Sequence, residues 1–245
     1  MYHFFAPGGD GESGELMIGG QDVRHITKVL RMRPGDQLIA SDGRDRDWLC
    51  EIAETGPDFV RLKVVSGELP SAESSRRIVL FQGLPKADKM DYIIEKSVEL
   101  GVCEVVPVEM ERCVMRLEPG KKEKRRERWQ LKAESASKQS GRSMVPEVKA
   151  VSSFPEALKL AGMLDHIIVP YESAENMDFT RQTLSSVKEG ESAGFFIGPE
   201  GGFAPAEIEK LKDAGAKIIT LGPRILRTET AGPAVLAMVA LLWEK

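Results

Sequence analysis

The 245-residue chain is short of the residues that build covalent or metal-held frameworks. It has three cysteines, Cys50, Cys103 and Cys113, with no CxxC pairing. An odd count in a chain of this length argues against a disulfide framework and for reduced thiols in a cytoplasm. The three histidines, His3, His25 and His166, are dispersed. They offer no metal-ligand spacing, so no metal is expected. Long hydrophobic runs are also missing. The longest covers residues 234–243, and ten residues read as a buried helix rather than a membrane span. Residues 1–5 lack the basic region and long apolar stretch of a signal peptide, so a soluble, cytoplasmic chain is expected. Neither sign of charge dominates: 34 basic side chains face 38 acidic ones, a net charge of −4. Any contact with nucleic acid must then come from a local patch. No Walker loop and no GxGxxG opens a helix, which excludes two familiar phosphate-binding devices.

The remaining composition, 42% hydrophobic and 29% charged, is that of a soluble globular protein with material for one large core or two modest ones. Residues 1–70 read as β-rich. Gly19-Gly20, Pro34-Gly35-Asp36, Asp42-Gly43 and Gly56-Pro57 punctuate short segments, and 38–40, 48–52 and 59–64 are strand-like. A helix over 22–30 interrupts them, and a small barrel or curled sheet is expected. Residues 68–75 are polar and turn-rich and make the best linker. From Arg76 onward strands alternate with helices. Strands are expected at 78–81, 102–108, 166–169, 193–197 and 217–221. Helices are expected at 86–100, 118–142, 155–161, 205–214 and 233–244. That rhythm implies a mostly parallel sheet covered on both faces.

Two stretches carry most of the functional signal. Phe196-Ile197-Gly198-Pro199-Glu200-Gly201-Gly202-Phe203 and Leu221-Gly222-Pro223-Arg224-Ile225-Leu226-Arg227-Thr228-Glu229-Thr230-Ala231 each follow an apolar run and lead into a helical pattern. Glycine lets backbone approach a ligand closely. In open α/β sheets ligands bind at the carboxyl ends of strands, where both stretches fall. Glu200 disfavours a phosphate and suits a cationic or hydroxylated ligand. A second signal is basic. Residues 112–142 hold eleven Lys/Arg against four Glu, and Arg24, Lys28, Arg31, Arg33, Arg44 and Arg46 form another group. A lone charge run reads as a solvated helix with i,i+4 pairs. Two groups together point to RNA, with Arg24, Lys28, Arg31, Arg33, Lys121, Lys122, Arg125 and Arg142 as the contacts.

The pair of glycine-bearing motifs resembles the ribosomal small-subunit RNA methyltransferase E family, of the SPOUT class. Arg24-His25 with Val29-Leu30-Arg31 and Pro34-Gly35-Asp36, Lys86-Ala87-Asp88-Lys89-Met90-Asp91, Glu111-Arg112-Cys113-Val114 and Gln139-Ser140-Gly141-Arg142 are similar to it as well. The resemblance spans essentially the whole chain. It implies a PUA-like RNA-binding β-barrel over 1–70 and a trefoil-knotted, mostly parallel α/β domain over 76–245. It also implies a homodimer, and methylation by S-adenosylmethionine of N3 of a uridine in 16S rRNA. The methyl donor is expected against three segments: Val169, Pro170, Tyr171 and Glu172; Ile197, Gly198, Pro199, Glu200 and Gly201; and Leu221, Gly222, Ile225 and Leu226, with Thr230 and Ala231 beyond them. Glu200 or Glu172 would take ribose hydroxyls or offset the sulfonium charge. Uracil nitrogen must lose its proton before it can attack, so a cation near a uracil carbonyl is required. Arg227 is the first candidate for that role and Arg112 the second.

Overall fold

A computed structural model describes residues 1–9, 11–172 and 176–244; Lys245, the last residue of the expected second domain, lies outside them. The chain forms two compact units, Met1–Glu73 with Ser137–Val145, and Ser74–Ala136 with Pro146–Lys245.

In the first unit β1 (His3–Phe5), β2 (Glu15–Gly19), β3 (Gln37–Ser41), β4 (Asp47–Thr55) and β5 (Phe59–Glu68) form one sheet in the order β1-β3-β4-β5-β2. Only the β1–β3 pair is parallel. Side chains alternate across the pleat, so Leu16, Ile18, Leu38, Ala40, Val60 and Leu62 enter one core. Register shifts in β4 between Trp48 and Cys50 and between Ile52 and Glu54 bend this sheet. The expected helix at 22–30 is a single α-turn, α1 (Gln21–Arg24), continued as a π-helical turn over His25–Val29. Val23 and Ile26 face the core from it.

Residues 137–145 strap this unit through buried and half-buried polar groups. Ser41 Oγ donates to the Ser143 carbonyl at 2.7 Å, Ser143 Oγ to Asp47 Oδ2 at 2.7 Å, and Lys138 Nζ to Asp22 Oδ2 at 2.8 Å. Burial works to raise the Asp47 carboxyl, but hydrogen bonds from His3 and Ser143 outweigh it and hold the group below its ordinary value.

In the second unit β6 (Arg77–Gly83), β7 (Glu104–Glu109), β8 (Glu147–Val148), β10 (His166–Pro170), β11 (Ser192–Ile197) and β12 (Lys217–Ile219) run in the order β12-β10-β11-β6-β7-β8. Short β9 (Ser152–Ser153) pairs β7, and every pair is parallel. Its helices are α2 (Lys89–Glu99), most of α3 (Pro119–Ser140), α4 (Phe154–Ala161), α5 (Met177–Ser185), α6 (Pro205–Asp213) and α7 (Thr228–Trp243). The continuous run Ile78-Val79-Leu80-Phe81 is buried on both faces, with Phe81 stacked on Phe196 at 4.4 Å. Met90, Ile93, Ile94 and Val98 bury one face of α2.

Two differences from the expected elements matter for function. α5 has few apolar residues and is set by its N-cap, where Asn176 Oδ1 accepts from the Asp178 and Phe179 amides. α7 begins five residues before Pro233, which sits inside the helix and withholds a hydrogen bond from its interior. Tertiary bonds at Thr228 and Glu229 hold that first turn instead.

The order of winding creates the site. β10 lies between β11 and β12, so the turns leaving β11 and β12 flank the carboxyl end of β10. A crevice is expected where a parallel sheet reverses its winding direction.

Candidate functional site

A cleft of about 730 Å³, counting the space up to its open mouth, occupies that position. One wall is apolar: Ile197, Phe203, Leu221 and Leu226, with Tyr171 edge-on to Phe203 at 6.3 Å. Polar groups on it come from Glu172, Thr220 and Thr228, and cations from Arg112 and Arg224. Gly198, Pro199, Gly202 and Gly222 supply close-lying backbone. At Gly198 an added Cβ would lie 3.2 Å from Gly202 and from the Phe203 ring. Gly222 holds φ at 110°, in the region that favours glycine.

Of the residues expected to hold a ligand, Pro170, Tyr171, Glu172, Ile197, Gly198 and Pro199 line the cleft. So do Leu221, Gly222, Ile225, Leu226 and Ala231. Val169, Glu200, Gly201 and Thr230 do not lie on the lining. Val169 is buried within β10, and Thr230 is exposed on α7. Gly201 instead packs on Arg112: an added Cβ would sit 2.9 Å from both Arg112 Cβ and the Arg112 carbonyl oxygen. Glycine is therefore needed there so that Arg112 can approach.

Glu200 is committed elsewhere. Its Oε1 accepts from the Lys86 amide at 3.0 Å and from Lys89 Nζ at 3.1 Å, and Lys89 reaches Glu229 Oε2 at 3.1 Å. Burial works to raise the Glu200 carboxyl, but the Lys86 amide, its own amide and Lys89 outweigh it and keep the group low. The Glu229 carboxyl is held low by its own amide and then by Lys89. Bonds to Glu200 and then Glu229 raise Lys89 above its ordinary value. Ala87, between the two donors to Glu200, has a φ of 54°, a conformation costing about 1–2 kcal/mol for a non-glycine residue. The carboxylate available inside the cleft is Glu172.

The two candidate arginines separate. Arg112 lines the cleft and donates from Nη1 to the Gly201 carbonyl at 3.3 Å. Arg227 is exposed at the N-cap of α7, off the lining. Arg224, on the second turn, lines the cleft.

Supports that sequence reasoning missed hold this geometry. Thr228 Oγ1 donates to the Gly198 carbonyl at 2.7 Å and accepts from Gln82 Nε2 at 2.9 Å, joining the two turns to β6. Thr180 of α5 meets both backbone groups of Thr220, accepting from its amide at 3.2 Å and donating to its carbonyl at 3.0 Å. Buried Glu207 caps α6 through the Ala204 amide at 2.9 Å and accepts from the Glu111 amide at 2.9 Å, which fixes the turn that carries Arg112. A Glu three residues beyond Ala204 was the readable signal for that cap. The long-range partners left no sequence signal.

The basic residues also differ in placement. Arg24, Lys28, Arg31 and Arg33 are exposed in the first unit and have no acidic partner among the described residues. Arg142 is buried and paired with Glu73, its Nε 3.1 Å from both carboxylate oxygens. Lys121 pairs with Glu118 at 2.8 Å, Lys122 with Glu109 at 2.8 Å, and Arg125 with Asp88 at 3.7 Å. Much of the α3 charge is thereby neutralised locally. Among the described residues no cluster of acidic, histidine and cysteine side chains is suited to a metal, and no helix is long and apolar enough to cross a membrane.

Comparison with known proteins gives a consistent result. An RNA methyltransferase domain family matches residues 72–240, and an RNA methyltransferase PUA domain family matches residues 18–65. The chain is 36% identical to ribosomal RNA small subunit methyltransferase E of Bacillus subtilis over 90% of its own length and 87% of that protein. It is 31% identical to the Mycobacterium bovis protein of the same name, over 92% and 86%. Among solved structures, a ribosomal RNA small subunit methyltransferase E from Neisseria gonorrhoeae bound to S-adenosylmethionine superposes with a TM-score of 0.86 at 32% identity, covering 99% of this chain and 98% of that one. A putative methyltransferase from Legionella pneumophila, also with bound S-adenosylmethionine, gives 0.83 at 27% identity, over 98% and 97%.

Proposed function

Because the chain belongs to the ribosomal RNA small subunit methyltransferase E family, we propose that it methylates small-subunit ribosomal RNA with S-adenosylmethionine as donor, at N3 of a uridine in 16S rRNA. The observation that carries this reading is the convergence of the turns after β11 and β12 on the end of β10 in a single cleft. The lining suits such a donor. The apolar wall of Ile197, Phe203, Leu221 and Leu226 fits a flat ring, and the glycine-bearing turns bring main-chain groups within reach of its edge. Glu172 offers a carboxylate to hydroxyls or to a positive centre. When bound, the donor supplies an electrophilic methyl group on a sulfonium sulfur.

The chain's own part is orientation and electrostatics. Arg112 is held at the cleft by Gly201 and by the turn that Glu207 braces, and its remaining donors are free to meet a uracil carbonyl as negative charge grows there. This placement favours Arg112 over Arg227. Arg224 is suited to hold a phosphate or the turn itself. Arg24, Lys28, Arg31 and Arg33, exposed in the first unit with no acidic partner among the described residues, supply phosphate contacts; phosphate contacts position RNA without reading its sequence. The target base must be splayed out for its edge to enter.

The reading extends to a division of labour between an RNA-binding segment over 1–70 and a knotted catalytic segment over 76–245. It extends also to a cytoplasmic homodimer. α7 leaves Ala237, Leu241 and Leu242 exposed beside its buried Val235, Leu236, Val239 and Trp243, an apolar face suited to isologous pairing. Sedimentation should then report twice the 27.0 kDa chain mass; a monomer at micromolar concentration contradicts that extension.

The test is methylation of small subunits purified from a strain lacking this gene, read by mass spectrometry of the rRNA. The expected product is a single methylated uridine in 16S rRNA. Arg112→Ala should lower kcat about 100-fold with donor affinity kept, as for loss of one oxyanion-type contact. Methylation of another base, or no methylation of the small-subunit rRNA, overturns the reading.

A further inference from the structure

Gln82 lies off the cleft lining and is fully buried at the end of β6, in register with Ile197 where the first turn begins. Its amide nitrogen has two hydrogens, and both are used. One goes to the Gly83 carbonyl at 3.0 Å, the other to Thr228 Oγ1 at 2.9 Å. Thr228 passes its own hydrogen to the Gly198 carbonyl at 2.7 Å. A hydroxyl has a single hydrogen, so the incoming amide fixes its direction: amide to hydroxyl to carbonyl. Thr228 opens α7 at the end of the turn after β12, and Gly198 belongs to the turn after β11. The relay is therefore one bonded path that joins the two turns of the cleft to the central strand.

The other end of the same side chain is unusual. Gln82 Oε1 is buried without a hydrogen-bond partner among the described residues, in apolar surroundings shared with Leu80, Ile197 and Gly232. An unpaired buried carbonyl opposes folding, and an apolar side chain of the same size would avoid it. That cost offsets much of what its two donated bonds contribute, so net stability gives glutamine little advantage here. The bond it offers Thr228 reaches the cleft, which an apolar side chain could not do.

We infer that Gln82 is a positioning residue for the methyl donor: through Thr228 it locks the Gly198 carbonyl, and so sets the spacing and orientation of the two turns that grip the donor. The inference rests on the methyltransferase reading above. Lys89 ties the same turns from outside through Glu200 and Glu229, but it is partly exposed and screened. The buried relay governs the inner face.

The measurement pairs calorimetric titration of S-adenosylmethionine with thermal unfolding of the full-length wild type, Gln82→Met, Thr228→Val, Thr228→Ser and the Gln82→Met/Thr228→Val double variant. Gln82→Met should weaken donor binding about three- to tenfold, the range for losing the one bond that reaches Thr228, while Tm shifts by no more than about 4 °C. Thr228→Ser keeps the hydroxyl and should retain affinity. The double variant should bind no more weakly than Thr228→Val alone, because both changes cut the same path. Wild-type affinity in Gln82→Met, or losses that add in the double variant, overturns the inference while leaving the function intact. If Gln82→Met does not fold, Gln82→Leu replaces it, and failure of both to fold also overturns the inference, since Gln82 would then be part of the scaffold. A wild type that binds no donor removes the methyltransferase reading and the inference with it.

Discussion

Lys89 illustrates how single charges shape this site without touching its ligand space. It is raised by its bonds to Glu200 and Glu229, so its contribution is complete below the unfolded lysine value of about 10.4 and is lost as pH rises through the folded value. Both carboxylates are lowered, so theirs is complete above the unfolded value of about 4.3 and is lost as pH falls through the folded ones. The triad is thus intact between about pH 5 and pH 10. Lys89→Met should lower Tm by about 1–2 °C in that window, with the deficit closing towards pH 3. A deficit of equal size at pH 3 and pH 7 would show that the triad is not its source. Sequence reasoning expected Glu200 against a ligand, whereas its carboxylate is turned to Lys86 and Lys89. Its partners lie 114 and 111 positions away at Lys86 and Lys89, beyond any local pattern.

At the scale of elements, legibility followed periodicity. The apolar run at 78–81 and the 3.6-residue pattern of Met90, Ile93, Ile94 and Val98 gave β6 and α2 directly. α5 escaped because its buried positions include Thr180 and Thr183, which read as surface residues; Thr180 is buried to serve the Thr220 backbone. The start of α7 escaped because Pro233 is a helix-start signal, whereas Thr228 begins the helix through its bond to Gly198. β12 ends at Ile219, short of the expected 221, because Thr220 turns away to Thr180. Glu207 belongs to this scale too. It joins α6 to the turn after β7 through the buried Ala204 amide and the half-buried Glu111 amide. Glu207→Ala should cost about 2–3 kcal/mol in urea unfolding, from a lost cap and a second orphaned amide, and should lower kcat more than donor affinity. A loss of under about 0.5 kcal/mol, the range of a neutral surface change, would contradict that account.

At the scale of the whole molecule, the net charge of −4 conceals an uneven distribution. The α3 cations that dominate the sequence are largely paired, whereas Arg24, Lys28, Arg31 and Arg33 are exposed and have no acidic partner among the described residues. Density of charge and its local pairing, as in Lys121–Glu118 and Arg126–Glu123, were legible in the sequence; the pairing with Glu109 and Asp88 was not, since these reach α3 from other elements. Replacing these four residues by alanine should reduce the slope of log affinity for single-stranded RNA against log salt by about 3, with donor binding unchanged. An unaltered slope would move the RNA contact elsewhere. The strand order that brings two glycine turns to the end of β10 was not readable either, because periodicity identifies strands but does not order them.

A crystal structure of the full chain grown with S-adenosylmethionine addresses this arrangement most directly. The donor should lie in the cleft with its ring between Leu221 and Leu226 on one side and the turn at Gly198 on the other, its positive centre towards Glu172. Donor density away from these turns, or a cleft closed without it, would contradict the account.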